Sequence, residues 1–229
     1  MIANNFSERN NVRNFKPNPL RGLMLYLWYY TGGKLILLNI QAIVWGIVFL
    51  FVNHPITHLL FGVNAIAGAT IILIAGMGNK EIDWERFQLS MPVRRRNLAS
   101  SQYLSVLLAS LVGIPIFVAF TGLGSILHED VYFTLPALFI TIAPYLSIPY
   151  ILSGLVFPLC SIPALEKLHN GLFPALMLFS VVIPQLVVVA ANHWGWSMIV
   201  ASSLMLAISM LIFIVSYFIT RKLYAKMDF

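Results

Sequence analysis

Few residues in this chain are of types that do chemistry. There are five histidines and one cysteine, Cys160. His54 and His58 stand at i and i+4, a spacing at which two imidazoles on one helix face share a metal. A site needs three or four ligands, and no others lie nearby in sequence. The pair therefore reads as interfacial side chains around Pro55. His169 has no partner motif, so it reads as structural. An intramembrane serine protease needs an activated serine in a glycine-rich context. The strings "GLGS" at 122–125 and "LSGL" at 152–155 do not supply one. There is no "HExxH" and no "GxxxxGK[ST]"; the "GGK" at 32–34 lacks the upstream glycine and runs into Leu35. The sequence therefore gives no catalytic, metal or cofactor site. What remains is a set of hydroxyls near prolines: Tyr145, Ser147, Tyr150 and Ser153, in a segment that also holds Pro136, Pro144, Pro149 and Pro158. They are candidates to line a substrate path. The alternative is that they satisfy backbone groups freed by the prolines. Asn39, Gln41, Asn64 and Gln185 are the strongest polar groups in the apolar segments, and helix–helix hydrogen bonding is expected of them.

The elements that must position these groups follow from composition. The 229 residues are 59% hydrophobic and 10% charged, with mean hydropathy +0.86. A soluble domain is about 45–50% apolar and about 25% charged, so the solvent here is lipid. A spanning helix takes ~20 mostly apolar residues. Six runs qualify, at about 35–52, 59–78, 98–121, within 131–159, 172–191 and 197–220. The fourth should kink or break at its prolines. Residues 1–17 read as a flexible polar arm and 18–229 as a single six-span domain. The arm has no apolar core, so no cleavable signal is expected. Asn18 and Pro19 open a helical stripe of Leu20, Leu23, Met24, Leu27 and Trp28, too short to span. It reads as an interfacial helix over 18–31, with Trp28, Tyr29 and Tyr30 at headgroup level. The alternative is an extension of the first span.

All fourteen Lys and Arg fall in the N-terminal segment, the second and fourth loops and the tail. The opposite loops hold His54, His58, His128, Glu129, Asp130 and His193. Both termini and the loop at 79–97 are therefore expected to be cytoplasmic. The net charge of +6 is a topology signal, and the dispersed charges do not form a nucleic-acid footprint. No Asp, Glu, Lys or Arg falls inside the six runs, which argues against an ion-coupled carrier.

One stretch gathers charge. Residues 79–97, "NKEIDWERFQLSMPVRRRN", hold eight of the chain's Asp, Glu, Lys and Arg. From Ile82 to Leu89 they make about two helical turns. Asp83 and Arg86 stand at i, i+3, close enough to pair. Pro92 ends the helix, and Arg94, Arg95 and Arg96 anchor the next span at the headgroups. An interfacial anchor explains the arginines. The mixed charge with Trp84 and Phe87 suits docking to another protein.

The string "WERFQLSMPVRRRNLASSQYL" resembles the loop between spans two and three of ABC-2-type permeases, the membrane subunits of bacterial ATP-driven exporters. Met91, Arg94 and Gln102 depart from the usual residues. The likeness covers 79–104 by motif and nearly the whole chain by layout. It implies an all-α membrane protein with six transmembrane helices, an N-terminal interfacial helix and a short cytoplasmic coupling helix. By resemblance, Asp83, Trp84, Glu85, Arg86, Phe87 and Leu89 contact the nucleotide-binding subunit. The resemblance also implies a multi-pass protein of the bacterial cytoplasmic membrane. Its partners would be a separate ABC ATPase subunit, which carries the ATP and Mg, and a second permease subunit, identical or not. The cargo would be a peptide, antibiotic or lipid-like molecule moved out of the cytoplasm. A non-transporting scaffold, or an immunity protein that binds a toxin, is the alternative.

Overall fold

A computed structural model describes residues 22, 36–37, 39–52, 54–68, 70–71, 95–128, 131, 133–161 and 166–226. Every element among them is helical. We label these α1 (Asn39–Phe51), α2 (Pro55–Gly62, running into one π turn at Val63–Ala67), α3 (Arg95–Leu127), α4 (Leu135–Cys160), α5 (Glu166–His193) and α6 (Met198–Lys226). Among the described residues four stretches are long and apolar enough to cross a membrane: Asn97–Leu127, Leu135–Cys160, Gly171–His193 and Met198–Lys226. The first two expected spans appear as the shorter apolar helices Asn39–Phe51 and Ile56–Ala67. The second span was expected to continue to 78, and 72–78 lie outside the described residues. The arm at 1–17 and the loop at 79–94 also lie outside them, and of 18–31 only Gly22 is described, in helical conformation.

The outer surface shows what solvent these helices meet. Ile36, Leu37, Ile40 and Val44 on or just before α1, Leu178, Leu186 and Val189 on α5, and Leu204, Leu211 and Phe218 on α6 are all exposed. Soluble proteins seldom expose apolar patches on this scale. The inside is aromatic at one end, where Phe49, Phe61 and Phe117 stack in series at 5.8 and 5.1 Å. Small and hydroxylated residues line most of the α6 side: Ala201, Ser202, Ser209, Ser216 and Thr220 are buried, with Met205 and Phe213 among them. Small residues let membrane helices approach closely. α4 is enclosed on all sides from Ala143 to Phe157, apart from Leu146 and Leu155, and forms the axis of the bundle.

The helices alternate in direction. His128 Nε2 lies 2.9 Å from Leu50 O, so α1 and α3 end together. Gln102 Nε2 donates to Tyr224 Oη at 3.3 Å, so α3 begins where α6 ends. Ser202 and Ser209 of α6 meet Ile140 and Ser147 of α4, so these two run parallel. The α5–α6 turn closes on Gly195, whose φ of 66° is the left-handed conformation typical of a helix C-terminus. Trp194 and Trp196 flank it, 65% and 59% exposed, where tryptophans favour a bilayer interface.

Three local features differ from expectation. α4 does not break. It starts at Leu135 behind a Thr134 cap, with Pro136 in its first turn, and continues through Pro144, Pro149 and Pro158. Pro144 leaves Ile140 O without its helical donor, and Ser202 Oγ supplies one from α6 at 3.5 Å. Enclosure by neighbours thus overrides the local proline rule. Prolines also sit inside α3 (Pro115) and α5 (Pro174 and Pro184), so they do not distinguish α4. Second, α2 begins four residues before the expected 59. His54 caps it, with Nδ1 accepting from Ile56 N–H at 3.2 Å, and Thr57 Oγ1 accepts from His54 N–H at 3.3 Å. Third, α2 widens into the π turn. Asn64 Nδ2 donates to Leu60 O at 2.7 Å within its own helix, where a bond to another helix was expected.

The π turn sets a helix crossing. It turns its backbone toward α3 at Gly113, where a Cβ would collide with Ala65 O and come within 2.9 Å of Ile66 Cα. Backbone has nowhere to retreat. Gly113→Ala is expected to lower stability by about 1–3 kcal/mol through overpacking. Gly171→Ala, with nothing within 4 Å of the added carbon, should be near neutral. Thermal inactivation of the two variants in detergent checks this; equal midpoints would contradict the close crossing.

Candidate functional site

Tyr145, Ser147, Tyr150 and Ser153 all project from α4 and all are buried. They do not face one opening. Tyr145 reaches toward α2, donating to His58 O at 3.2 Å, with its ring beside Gly62 and 5.7 Å from Phe117. Ser147 donates to Ala143 O at 2.9 Å and accepts from Ser209 Oγ at 3.3 Å. Tyr150 Oη lies 3.3 Å from Ser110 Oγ of α3, and its ring is 5.2 Å from Phe213 of α6. Ser153 donates to Pro149 O at 2.6 Å. Among the described residues, the hydrogen bonds from these four go to carbonyls that no proline has freed. That task falls to Ser202 at Ile140. In this conformation the four hydroxyls tie α4 to itself and to α2, α3 and α6.

The open space nearby is a groove of about 280 Å³ between α4 and α6. Gly154, Pro158, Ile212 and Ser216 form its floor, and Leu211 and Val215, both exposed, form its rim. It is apolar apart from Ser216. Nothing in it can bind an ion. Among the described residues no three His, Cys, Asp or Glu gather. His58, half-buried, packs its ring 4.9 Å from Phe49 and 6.0 Å from Phe117. Gln185 Nε2 is buried with no hydrogen-bond partner among the described residues, where a bond between helices was expected.

A second polar cluster joins the start of α3 to the end of α6. Tyr103 Oη lies 2.5 Å from Ser216 Oγ and 2.9 Å from Thr220 Oγ1. Ser100 Oγ lies 3.1 Å from Tyr217 Oη, and Gln102 meets Tyr224 as above. The Tyr103 ring packs separately, 4.9 Å from both Phe157 and Phe213. Sequence reasoning missed this cluster. A signal was present: Ser202, Ser209 and Ser216 recur every seven residues and Thr220 follows four later, which marks one helical face. Nothing in the sequence says that Tyr103 meets that face.

Among the described residues these arrangements make a bundle whose buried polar side chains are hydroxyls and amides. A family model of ABC-2 family transporter proteins matches residues 25–225. The chain belongs to the ABC-2 transporter family. No curated protein and no solved structure matches it. The matched stretch of this ABC-2 protein takes in every helix from α1 to α5, most of α6, and the charged loop between α2 and α3. The resemblance of that loop to ABC-2 permeases is thus in agreement with a match over most of the chain. Asp83, Trp84, Glu85, Arg86, Phe87 and Leu89 lie outside the described residues.

Proposed function

We propose that this ABC-2 protein is the membrane subunit of an ATP-driven exporter, working with a separate ATPase subunit and a second membrane subunit. The observation that carries this reading is the family match across 25–225 in a chain with no phosphate-cradling loop of its own. A transporter of this family needs an energy source, and this sequence offers none. The amphipathic stretch Asp83–Trp84–Glu85–Arg86–Phe87, with Leu89, is the docking surface for the ATPase. Nucleotide-driven closure of the ATPase pair moves that surface and switches the bundles between two arrangements. Tyr145, Ser147, Tyr150 and Ser153 become a path for cargo when α4 parts from its neighbours. The cargo is apolar or amphipathic, because the bundle has no charge to replace an ion's water.

The chain crosses the membrane six times, with both termini and the 79–97 loop in the cytoplasm. Support comes from the one-sided Lys and Arg, and from the way Arg221, Lys222 and Lys226 end α6 beside the start of α3. Reporter fusions at Phe229 and Glu129 should report opposite compartments, Phe229 cytoplasmic. The same compartment for both would contradict the topology.

Affinity purification of the tagged chain from its own membranes tests the partnership. A chain carrying a Walker A sequence should copurify at a fixed ratio. Recovery of the tagged protein without any ATPase favours a scaffold or immunity role.

A further inference from the structure

The geometry points to Tyr103 as a positioning residue that couples the charged loop to the bundle. With Ser216 and Thr220 it clasps the first turns of α3 to the last turns of α6. The inference rests on the transporter reading for its cause of motion, though the clasp itself does not.

α3 begins at Arg95, six residues after Leu89, the last residue assigned to ATPase docking, and Tyr103 follows about two turns later. The C-terminal side of the loop leads into the bundle through this end of α3. The side-chain hydrogen bonds between α3 and α6 among the described residues cluster here: Ser100 with Tyr217, Gln102 with Tyr224, and Tyr103 with both Ser216 and Thr220. Tyr103, Ser216 and Thr220 are 4%, 3% and 0% exposed, so these bonds are shielded from solvent in this conformation. From α6 the connection continues to α4 through Ser209 to Ser147 and Ser202 to Ile140 O. Ser147 is one of the candidate path residues. The chain of contacts is therefore continuous from the start of α3, through α6, to the axis of the bundle.

Ring and hydroxyl of Tyr103 have separate partners. The ring is held by Phe157, Phe213 and Tyr217. The hydroxyl alone reaches Ser216 and Thr220. Tyr103→Phe therefore keeps the packing and removes the clasp. Ser216 and Thr220 can then turn back on carbonyls of their own helix, as serine and threonine do, so the stability cost is small. A useful comparison is Thr121→Val, which removes a buried α3 hydroxyl that, among the described residues, bonds Phe117 O of its own helix.

The experiment has two arms, both on the full chain with Cys160 replaced by serine. In the first, the chain alone is placed in nanodiscs with spin labels at positions 97 and 225. The expected distance distribution is narrow for the parent and for Thr121→Val, and broadened or shifted for Tyr103→Phe. An unchanged distribution in Tyr103→Phe overturns the clasp. In the second, the chain is reconstituted with its ATPase subunit, and transport and hydrolysis are measured together. Transport per ATP is expected to fall about tenfold in Tyr103→Phe with basal hydrolysis and thermal midpoint retained, a coupling loss of ordinary size. Ser216→Ala/Thr220→Val should reproduce the loss, and adding Tyr103→Phe should not deepen it. An unchanged ratio of transport to hydrolysis overturns the coupling role. So does a parallel fall of transport, hydrolysis and thermal midpoint, which marks a purely structural residue. If the parent complex shows no ATP-driven transport, the transporter reading and the coupling role fail together, while the first arm still decides whether the clasp joins the helices.

Discussion

Replacing Trp84 and Phe87 together with alanine is expected to abolish retention of the ATPase subunit while the chain still inserts. Aromatic side chains that fill pockets at protein interfaces commonly cost about 2 kcal/mol or more when truncated. At about 1.4 kcal/mol per factor of ten, one such loss weakens binding about thirtyfold. Truncation of both should put the complex below detection in a washed pull-down. A purely interfacial anchor would not need Asp83, Glu85 and Arg86 interleaved with two large aromatics. Arg94→Ala provides the contrast, because Arg95 and Arg96 stand beside it and keep the span anchored at the headgroups. It should leave the complex intact. Full retention and normal ATPase stimulation in the Trp84/Phe87 variant would remove the docking role from this loop.

The second large effect concerns cargo. In the reconstituted complex, amphipathic peptides, lipids or hydrophobic antibiotics are expected to stimulate hydrolysis several-fold, and sugars or metal ions not at all. The described interior includes Phe49, Phe61, Phe117, Tyr103, Phe157 and Phe213, with hydroxyls such as those of Tyr145 and Ser147 already partnered and that of Ser105 buried without one. A small hydrophilic ion would lose its water there and gain no charged group in exchange. An amphipathic molecule can keep its apolar part against such side chains or in the bilayer. The groove at Gly154 and Ile212, rimmed by exposed Leu211 and Val215, has the same apolar character. Stimulation by a sugar or a metal ion, with none by the amphipathic panel, would overturn this view of the interior.

Much of the helical layout was legible because hydropathy and length are one-dimensional properties. The run at 172–191 falls inside α5 and the run at 197–220 nearly coincides with α6, with α3 extending past its expected limits at both ends. The charged loop stood out for the same reason: it breaks the composition around it. Features set by contact across the bundle were not legible. The π turn at Val63–Ala67 depends on Asn64 reaching Leu60 O and on Gly113 allowing close approach. Neither signal specifies the wide turn by itself. The prolines of α4 do not break it, because its neighbours enclose the helix and supply a donor at Ile140 O. The roles of Tyr145, Ser147, Tyr150 and Ser153 look different once their partners are visible, since each belongs to a different contact of α4. The clasp at Tyr103 joins positions more than a hundred residues apart, beyond the reach of any periodicity. The seven-residue spacing of the α6 serines was visible, but it names a face and not its partner.

The central claim is that this chain moves cargo only with energy supplied by another subunit. Its most direct test is ATP hydrolysis and cargo movement in proteoliposomes holding the chain alone, the ATPase alone, or both. The account predicts that the chain alone neither binds nor hydrolyses ATP, and that cargo moves only when both are present with ATP and Mg. Hydrolysis by the chain in a preparation free of any ATPase subunit, or cargo movement that persists without nucleotide, would contradict it.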